Sequence, residues 1–234
     1  MRNSLLNETP NTIGYVDLLS AQAAHIGDRR NAPHTRLRIQ IVTAQLLQDT
    51  SYDKLSIGRI CEKVNLTRPG FYLHYRNKEE LVLDALKGLV KTEAQLMPSL
   101  MDCANLREAI FRICDWYFRF HVLADGLFSA MIAMRRSVPE AEELQKQRSN
   151  NLHEAASYQL KRFDRYCDIE PDWATFAVDA TARAMGVTAR SMNKQAGPRP
   201  MRYTHDVGRL VDLFSRMMYS TLLSETPPLE EPTQ

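Results

Sequence analysis

SIGRICEKVNLTRPGFYLHYRNK, residues Ser56 to Lys78, is the stretch whose reading settles the fold. Ser56 stands where a helix cap belongs, and Ile57, Ile60, Cys61 and Val64 recur at i, i+3, i+4 and i+7. That spacing predicts a helix of about two turns with one apolar stripe facing inward. Its outer face is Gly58, Arg59, Glu62 and Lys63. Asn65 comes next, a residue that tolerates left-handed backbone, and Leu66 can fill the angle between two helices. Thr67 caps a second helix, with Pro69 in its first turn, where a missing N–H costs no intrahelical bond. Asn77 and Glu80 form a capping box that starts a third helix, so the second is confined to about Arg68 to Tyr75.

A helix this short cannot organise a core, so it is expected to present its side chains to a partner. It offers Arg68, Gly70, Tyr72 and His74, with Lys78 opening the next helix. Lys and Arg neutralise phosphates, while hydroxyls and helix N-termini donate hydrogen bonds to phosphate oxygens. Gly70 leaves out a side chain where a base edge could come close. Phe71 and Tyr75, at i and i+4, are expected in the core. The competing reading is a plain helical hairpin whose aromatics are all core.

Leu55-Ser56, the IxxICxxVNLT run and FYLHYRNKEEL together resemble the N-terminal DNA-binding domain of TetR-type transcriptional regulators. The likeness covers roughly Thr35 to Leu96, with caps, turn, aromatic pair and lysine at the family's spacing. It implies that Ser56 and Thr67 touch phosphate, that Arg68, Pro69 and Gly70 face bases, and that Tyr72, His74 and Lys78 grip the backbone. Asn65 replaces the glycine common in the family's turn. Gly58 stands where some members carry a base-reading side chain. This helix is therefore expected to read fewer bases and to use Arg59 on a phosphate.

A chain of 234 residues can hold one large domain, or a small one plus a larger one. The small one alone buries too little surface, so it should lean on the larger. The division expected is a flexible extension over 1–34, a DNA-binding domain over 35–96 with its helix-turn-helix at about 56–77, an effector-binding and dimerisation domain over 97–224, and a disordered tail over 225–234. Net charge is only +2, but it is unevenly placed. Through Glu80 there are 11 Lys and Arg against 8 Asp and Glu, and beyond it 19 against 20. So modest an excess points to a few placed phosphate contacts and to dimerisation, because salt-dependent affinity scales with the phosphates neutralised.

Cys61, Cys103, Cys114 and Cys167 are scattered without the paired spacing of a zinc site, so reduced and mostly buried thiols are expected, with no metal and no cofactor. No apolar run reaches the roughly 18 residues of a membrane span, and the N-terminus lacks a signal-peptide core, which makes a cytoplasmic protein the expectation. In the extension, Asn3 to Gly14 reads as a flexible tail, and Tyr15 to His25 as a possible short helix with Val16, Leu19 and Ala23 on one side. Arg29, Arg30, Arg36 and Arg38 make a basic arm able to enter a minor groove. A solvated, disordered leader is the competing reading.

Beyond the DNA-binding domain the signals are helical. Helices are expected from Asn77 to about Met97, from Asn105 to about Leu123, from Asp125 to about Arg136, from Pro139 through Tyr166, from Pro171 to about Lys194, and from Tyr203 to Leu223. Trp116, Phe120, Phe128, Met131, Met134, Tyr158, Phe163, Trp173 and Phe176 concentrate in the middle of this region. Polar Asp115, His121, Asp179 and Arg183 share those helices. Taken singly each aromatic suits an ordinary core, and Asp179 with Arg183 suits a helical ion pair. Taken together they suggest a pocket lined by Trp116, Phe120, Phe128, Met131 and Phe176. The stripe Phe176, Ala180, Ala184, Val187 and Ser191, with Val207, Leu210, Val211, Phe214, Met217 and Met218 on the last helix, fits a four-helix bundle across a two-fold axis. The family likeness implies the same dimer, with two recognition helices about 34–36 Å apart in successive major grooves.

The sequence therefore predicts an all-α, homodimeric repressor that binds a palindromic site in double-stranded DNA and is released by a small apolar or amphipathic effector. An enzyme or carrier in a helical bundle is the competing class. There is no HExxH, no Glu-xx-His pair, no glycine-rich phosphate loop and no nucleophile motif to support it, and no membrane partner is expected. A DNA-binding protein without an effector is the third class.

Overall fold

A computed structural model describes residues 14–26, 32–192 and 206–224, and among them every regular element is a helix. The N-terminal part is α1 (Tyr15–Ile26), α2 (Ala32–Asp49), α3 (Ile57–Val64), α4 (Arg68–Tyr72) and α5 (Lys78–Leu96). Then come α6 (Leu106–Leu123), α7 (Asp125–Met134), α8 (Pro139–Leu160), α9 (Asp164–Cys167), α10 (Pro171–Met192) and α11 (Val207–Leu223).

Local chemistry sets the starts and stops. The side chains of Ser56, Thr67, Asn77 and Asn105 each accept from the backbone N–H three residues on, at 3.3, 3.2, 2.8 and 3.0 Å. Each satisfies an orphan donor, a contribution of about 1 kcal/mol. The reciprocal half of the box is displaced by one residue, since Glu80 accepts from Arg76 N–H and Glu108 from Ala104 N–H. At the end of α3, Asn65 takes φ 56°, and the N–H groups of Asn65 and Leu66 close onto Glu62 and Cys61 carbonyls. That is the paired-bond helix stop a left-handed residue permits.

Two cores result. One is shared by α1 to α5, the end of α6, α7 and the start of α8, so Phe71, Tyr75 and Leu86 share it with Phe120, Phe128 and Met131. The other lies among α6, the end of α8, α10 and α11. The N-terminal helices thus lean on α7. A Cβ on Gly126 of α7 would come within 2.3 Å of the Leu47 carbonyl oxygen of α2.

Several expectations change. Within the extension expected to be flexible, the short helix read at Tyr15 to His25 does form as α1, and it is packed rather than free, with Tyr15 and Leu19 buried and the Tyr15 hydroxyl donating to the Ala85 carbonyl of α5 at 3.1 Å. Asn3 to Leu6 and the rest of the tail before Gly14 lie outside the described residues, as do Arg29 and Arg30, the loop ending at Tyr203 and residues 225–234. Arg36 and Arg38 are not a free arm. Arg36 donates to Asp84 at 3.0 and 2.9 Å, and Arg38 donates to the Val64 carbonyl at 3.0 Å, closing the end of α3.

The second helix of the pair stops at Tyr72, because the N–H groups of His74 and Tyr75 both turn back onto the Phe71 carbonyl. Helix α8 stops at Leu160 rather than Tyr166. The chain turns there so that buried Tyr166 brings its hydroxyl 3.2 Å from Ser157 Oγ, two positions that a straight helix would hold about 13 Å apart.

Candidate nucleic-acid interface and the groove behind it

The surface of α3, α4 and the start of α5 is built on Phe71 and Tyr75, both buried. Tyr75 donates its phenolic proton to Asp84 at 2.9 Å, and the same carboxylate oxygen accepts from Arg36 and Gln40. Burial, then the charge of Asp84, pushes the Tyr75 phenol up, so it stays a donor. This knot ties α2, the loop after α4 and α5 together beneath the exposed residues.

Above it, Ser56, Arg59, Thr67, Arg68, Pro69 and Tyr72 are exposed, and Gly70, His74 and Lys78 are partly exposed. Ser56 and Thr67 use a lone pair in capping, which leaves their hydroxyl protons available to a phosphate. Lys78 Nζ donates to the Tyr52 carbonyl at 3.0 Å and lies 4.3 Å from the Tyr52 ring centre, so the ammonium is held in place with two further N–H donors to give. Arg59 donates to Thr50 at 3.3 Å.

Both glycines have a reason inside the protein. A Cβ at Gly58 would meet Arg68 Nη2 at 3.2 Å, so Gly58 makes room for the Arg68 guanidinium to cross over α3. A Cβ at Gly70 would press on Leu66 at 3.0 Å, which ties that glycine to interhelical packing. Sequence reasoning missed Leu73, 85% exposed beside Tyr72, since its type signalled a core position. It also missed Tyr52, which orients Lys78 across 26 positions of chain.

The larger region is less apolar than its composition suggests. Phe120, Phe128 and Met131 are buried in the first core, whereas Phe176 is 57% exposed and stacks on Trp173. Phe176 therefore lines no pocket, and neither does exposed Tyr158 line an enclosed one. Trp116 borders a small cavity of about 50 Å³ whose walls include Tyr117, Arg148 and Asp179. Beside it a groove of about 640 Å³ opens between α6, α7, α8 and α10, with His121, Phe128, Arg148 and Arg190 among its walls. Asp179 and Arg183 form the helical ion pair at 2.5 Å.

A buried charge cluster closes the inner end of this groove. Arg148 of α8 donates Nε and Nη2 to the two Glu93 oxygens of α5, each at 2.5 Å, with both side chains almost fully enclosed. Burial disfavours the cation, but the adjoining Glu93 charge outweighs it and raises the guanidinium pKa. Arg148 Nη2 also lies 2.7 Å from His121 Nε2, and His121 stacks on Phe128 with ring centres 4.1 Å apart. Burial, then the charges of Arg148 and Arg190, holds the imidazole well below its usual pKa, hence neutral. No pattern in the sequence announced Glu93, Arg148 or Arg190, because each is an isolated charge in an ordinary amphipathic helix.

The dimer stripe also needs correction. Leu210, Val211, Phe214 and Met218 are buried in the second core of their own chain, Phe214 against Phe118, because α11 packs its apolar face on α6. They are not available to a second copy, and Val207 is half-buried against the same core. Exposed apolar surface on these helices is instead Phe176 and Val187 of α10 with Leu213 and Met217 of α11.

Among the described residues no group of His, Cys, Asp and Glu is arranged to hold a metal ion, and no helix is long and apolar enough to cross a membrane. Residues 42–85 match the family model described as bacterial regulatory proteins, tetR family. Among solved structures the chain is similar to Salmonella enterica GusR, with a TM-score of 0.58 and 14% sequence identity over 80% of this chain and 95% of that one. At that identity the likeness speaks for the fold. None of the curated proteins matches the chain.

Proposed function

We propose that this chain, a TetR-type regulator by its DNA-binding domain, works as a homodimeric repressor released from a palindromic operator when a small molecule occupies the groove beside His121. The exposed set on a rigid base carries the reading: Ser56, Arg59, Thr67, Arg68, Tyr72, His74 and Lys78 stand around α3 and α4 while Phe71 and Tyr75 anchor them. In this reading Ser56, Arg59, Thr67, Tyr72, His74 and Lys78 hold phosphates, and Arg68 with Pro69 and Gly70 faces bases. The second copy docks on the exposed apolar residues Phe176, Leu213 and Met217, flanked by Ala180 and Ala184.

Helix α5 supports a route from groove to DNA. Lys78 opens it at the DNA-binding end, and Glu93 near its other end is held by Arg148 in the groove wall. An effector that prefers one setting of the cluster would shift the population toward a spacing of the two heads that one operator cannot accept. Coupling of about 1–3 kcal/mol is the usual scale and suffices for roughly 5–150-fold release.

Selection of random duplex DNA by the purified protein tests the core of this reading. The expected outcome is a palindrome with half-sites one helical turn apart. Recovery of unrelated sequences with a salt-sensitive affinity would support a DNA-binding protein without an operator and overturn the repressor reading.

A further inference from the structure

His121 and Arg190 are two donors that border the same space beside Gly186. A guanidinium only donates, so the 2.7 Å contact from Arg148 makes His121 Nε2 the acceptor and puts the ring proton on Nδ1. Nδ1 is buried and has no hydrogen-bond partner. A point 3.8 Å from it and 3.5 Å from Arg190 Nη1 is the position a Cβ would occupy at Gly186, so this glycine keeps the space before both donors clear.

The other arginines along the groove are already neutralised: Arg135 by Glu142, Arg148 by Glu93 and Arg183 by Asp179. Arg190 has no carboxylate partner among the described residues. Buried donors without acceptors are rare because each forfeits its hydration. One such donor, His121 Nδ1, converging with the half-buried cation of Arg190, describes an oxyanion site.

We infer that the effector carries a carboxylate, one oxygen accepting from His121 Nδ1–H while its charge pairs with Arg190, and an apolar body lying over Phe128, Tyr117 and Ile132. The volume of about 640 Å³ admits a ligand well beyond acetate in size. This rests on the reading of the groove as the effector site, and narrows it from apolar or amphipathic compounds to acidic amphipathic ones.

The test uses the full-length protein without DNA, titrated calorimetrically with acetate, benzoate, 2-naphthoate, octanoate and decanoate, and with the primary amide of each. At least one carboxylate should bind, with its amide about tenfold weaker or worse, the loss of one charge-assisted hydrogen bond. Arg190→Met should weaken that carboxylate about as much. Gly186→Leu fills the space without altering charge and should abolish binding, which keeps the test sound if Arg190→Met fails to fold. The Nδ1–H resonance of His121 should shift on titration.

Equal binding of acid and amide, wild-type affinity in both variants, or no binding by any of the five acids to about 10 mM would each overturn the inference. A neutral compound that releases DNA while no acid binds would sink this inference and leave the repressor reading standing. A carboxylate that binds at Arg190 without affecting DNA would leave the oxyanion site standing and overturn the reading of the groove as an effector site.

Discussion

Arg148 and Glu93 form a two-point ion pair across the packing of α8 on α5, with both nitrogen–oxygen distances at 2.5 Å and neither side chain reaching solvent. Buried pairs of this kind are weak sources of net stability, but breaking one by removing a single partner strands a charge and costs about 3–5 kcal/mol. Glu93→Leu and Arg148→Met alone should each lose stability on that scale. The double variant should recover most of it. Urea unfolding of all four proteins measures the coupling, and additive losses in the cycle would show that the two charges do not stabilise each other.

The same cluster predicts a pH response. The native protein resists protonating His121, while the unfolded chain takes up that proton near the ordinary value of 6.5. Below that pH the unfolded state binds more protons, so stability should fall as pH drops, by up to about 1.4 kcal/mol per unit. His121→Gln, which retains an acceptor for Arg148, should flatten this dependence between pH 7 and 5.5. A wild-type curve as flat as the variant's would mean that His121 protonates freely in the folded protein.

The pairing of Glu93 with Arg148 also marks where the sequence stopped being informative. Caps at Ser56, Thr67, Asn77 and Asn105, and the left-handed Asn65, were legible because each depends on neighbours three or four positions away. The same local logic placed Phe71 and Tyr75 in the core. Whether an apolar stripe packs on its own chain or on a second copy is not local information. Leu210 and Phe214 look alike for either purpose, and only the position of α6 decides between them. Likewise, Glu93 pairs with a residue 55 positions away, a distance no helical periodicity spans.

At the surface proposed to face DNA, Lys78→Ala should weaken binding about equally on all sequences and reduce the slope of log affinity against log salt by roughly one. Arg68→Ala should relax base preference at one position of each half-site. Mobility shifts over a salt series separate these effects. An unchanged slope for the Lys78 variant would remove that ammonium from the phosphate contacts and leave it as the support that Tyr52 holds.

For the proposed dimer, the useful comparison is between an exposed and a buried position on one helix. Met217 is 46% exposed and Leu210 is buried. Met217→Asp should dissociate the protein while leaving the protomer folded, because the carboxylate is solvated once the copies part. Leu210→Asp should unfold it, at several kcal/mol, since the charge has no water to reach. Sedimentation with circular dichroism distinguishes the two, and a dimer that survives Met217→Asp together with Phe176→Asp would place the interface on another face.

Gly126 offers a perturbation that alters none of the side chains proposed to touch DNA, on the helix that carries Phe128 of the groove wall. A Cβ there would sit 2.3 Å from the Leu47 oxygen and 2.8 Å from the Gln48 nitrogen, contacts with backbone that cannot rotate away. Gly126→Ala must therefore push α7 from α2, at a cost of about 1–3 kcal/mol for an overpacked interface. Displacing α2 also moves Arg38, which holds the end of α3, so operator affinity should fall beyond what the lost stability explains. Titration of operator DNA at a temperature where the variant is fully folded isolates that second effect. Wild-type affinity there, alongside reduced stability, would show that the DNA-binding helices keep their geometry independently of α7 and would disconnect the groove from the DNA along this route.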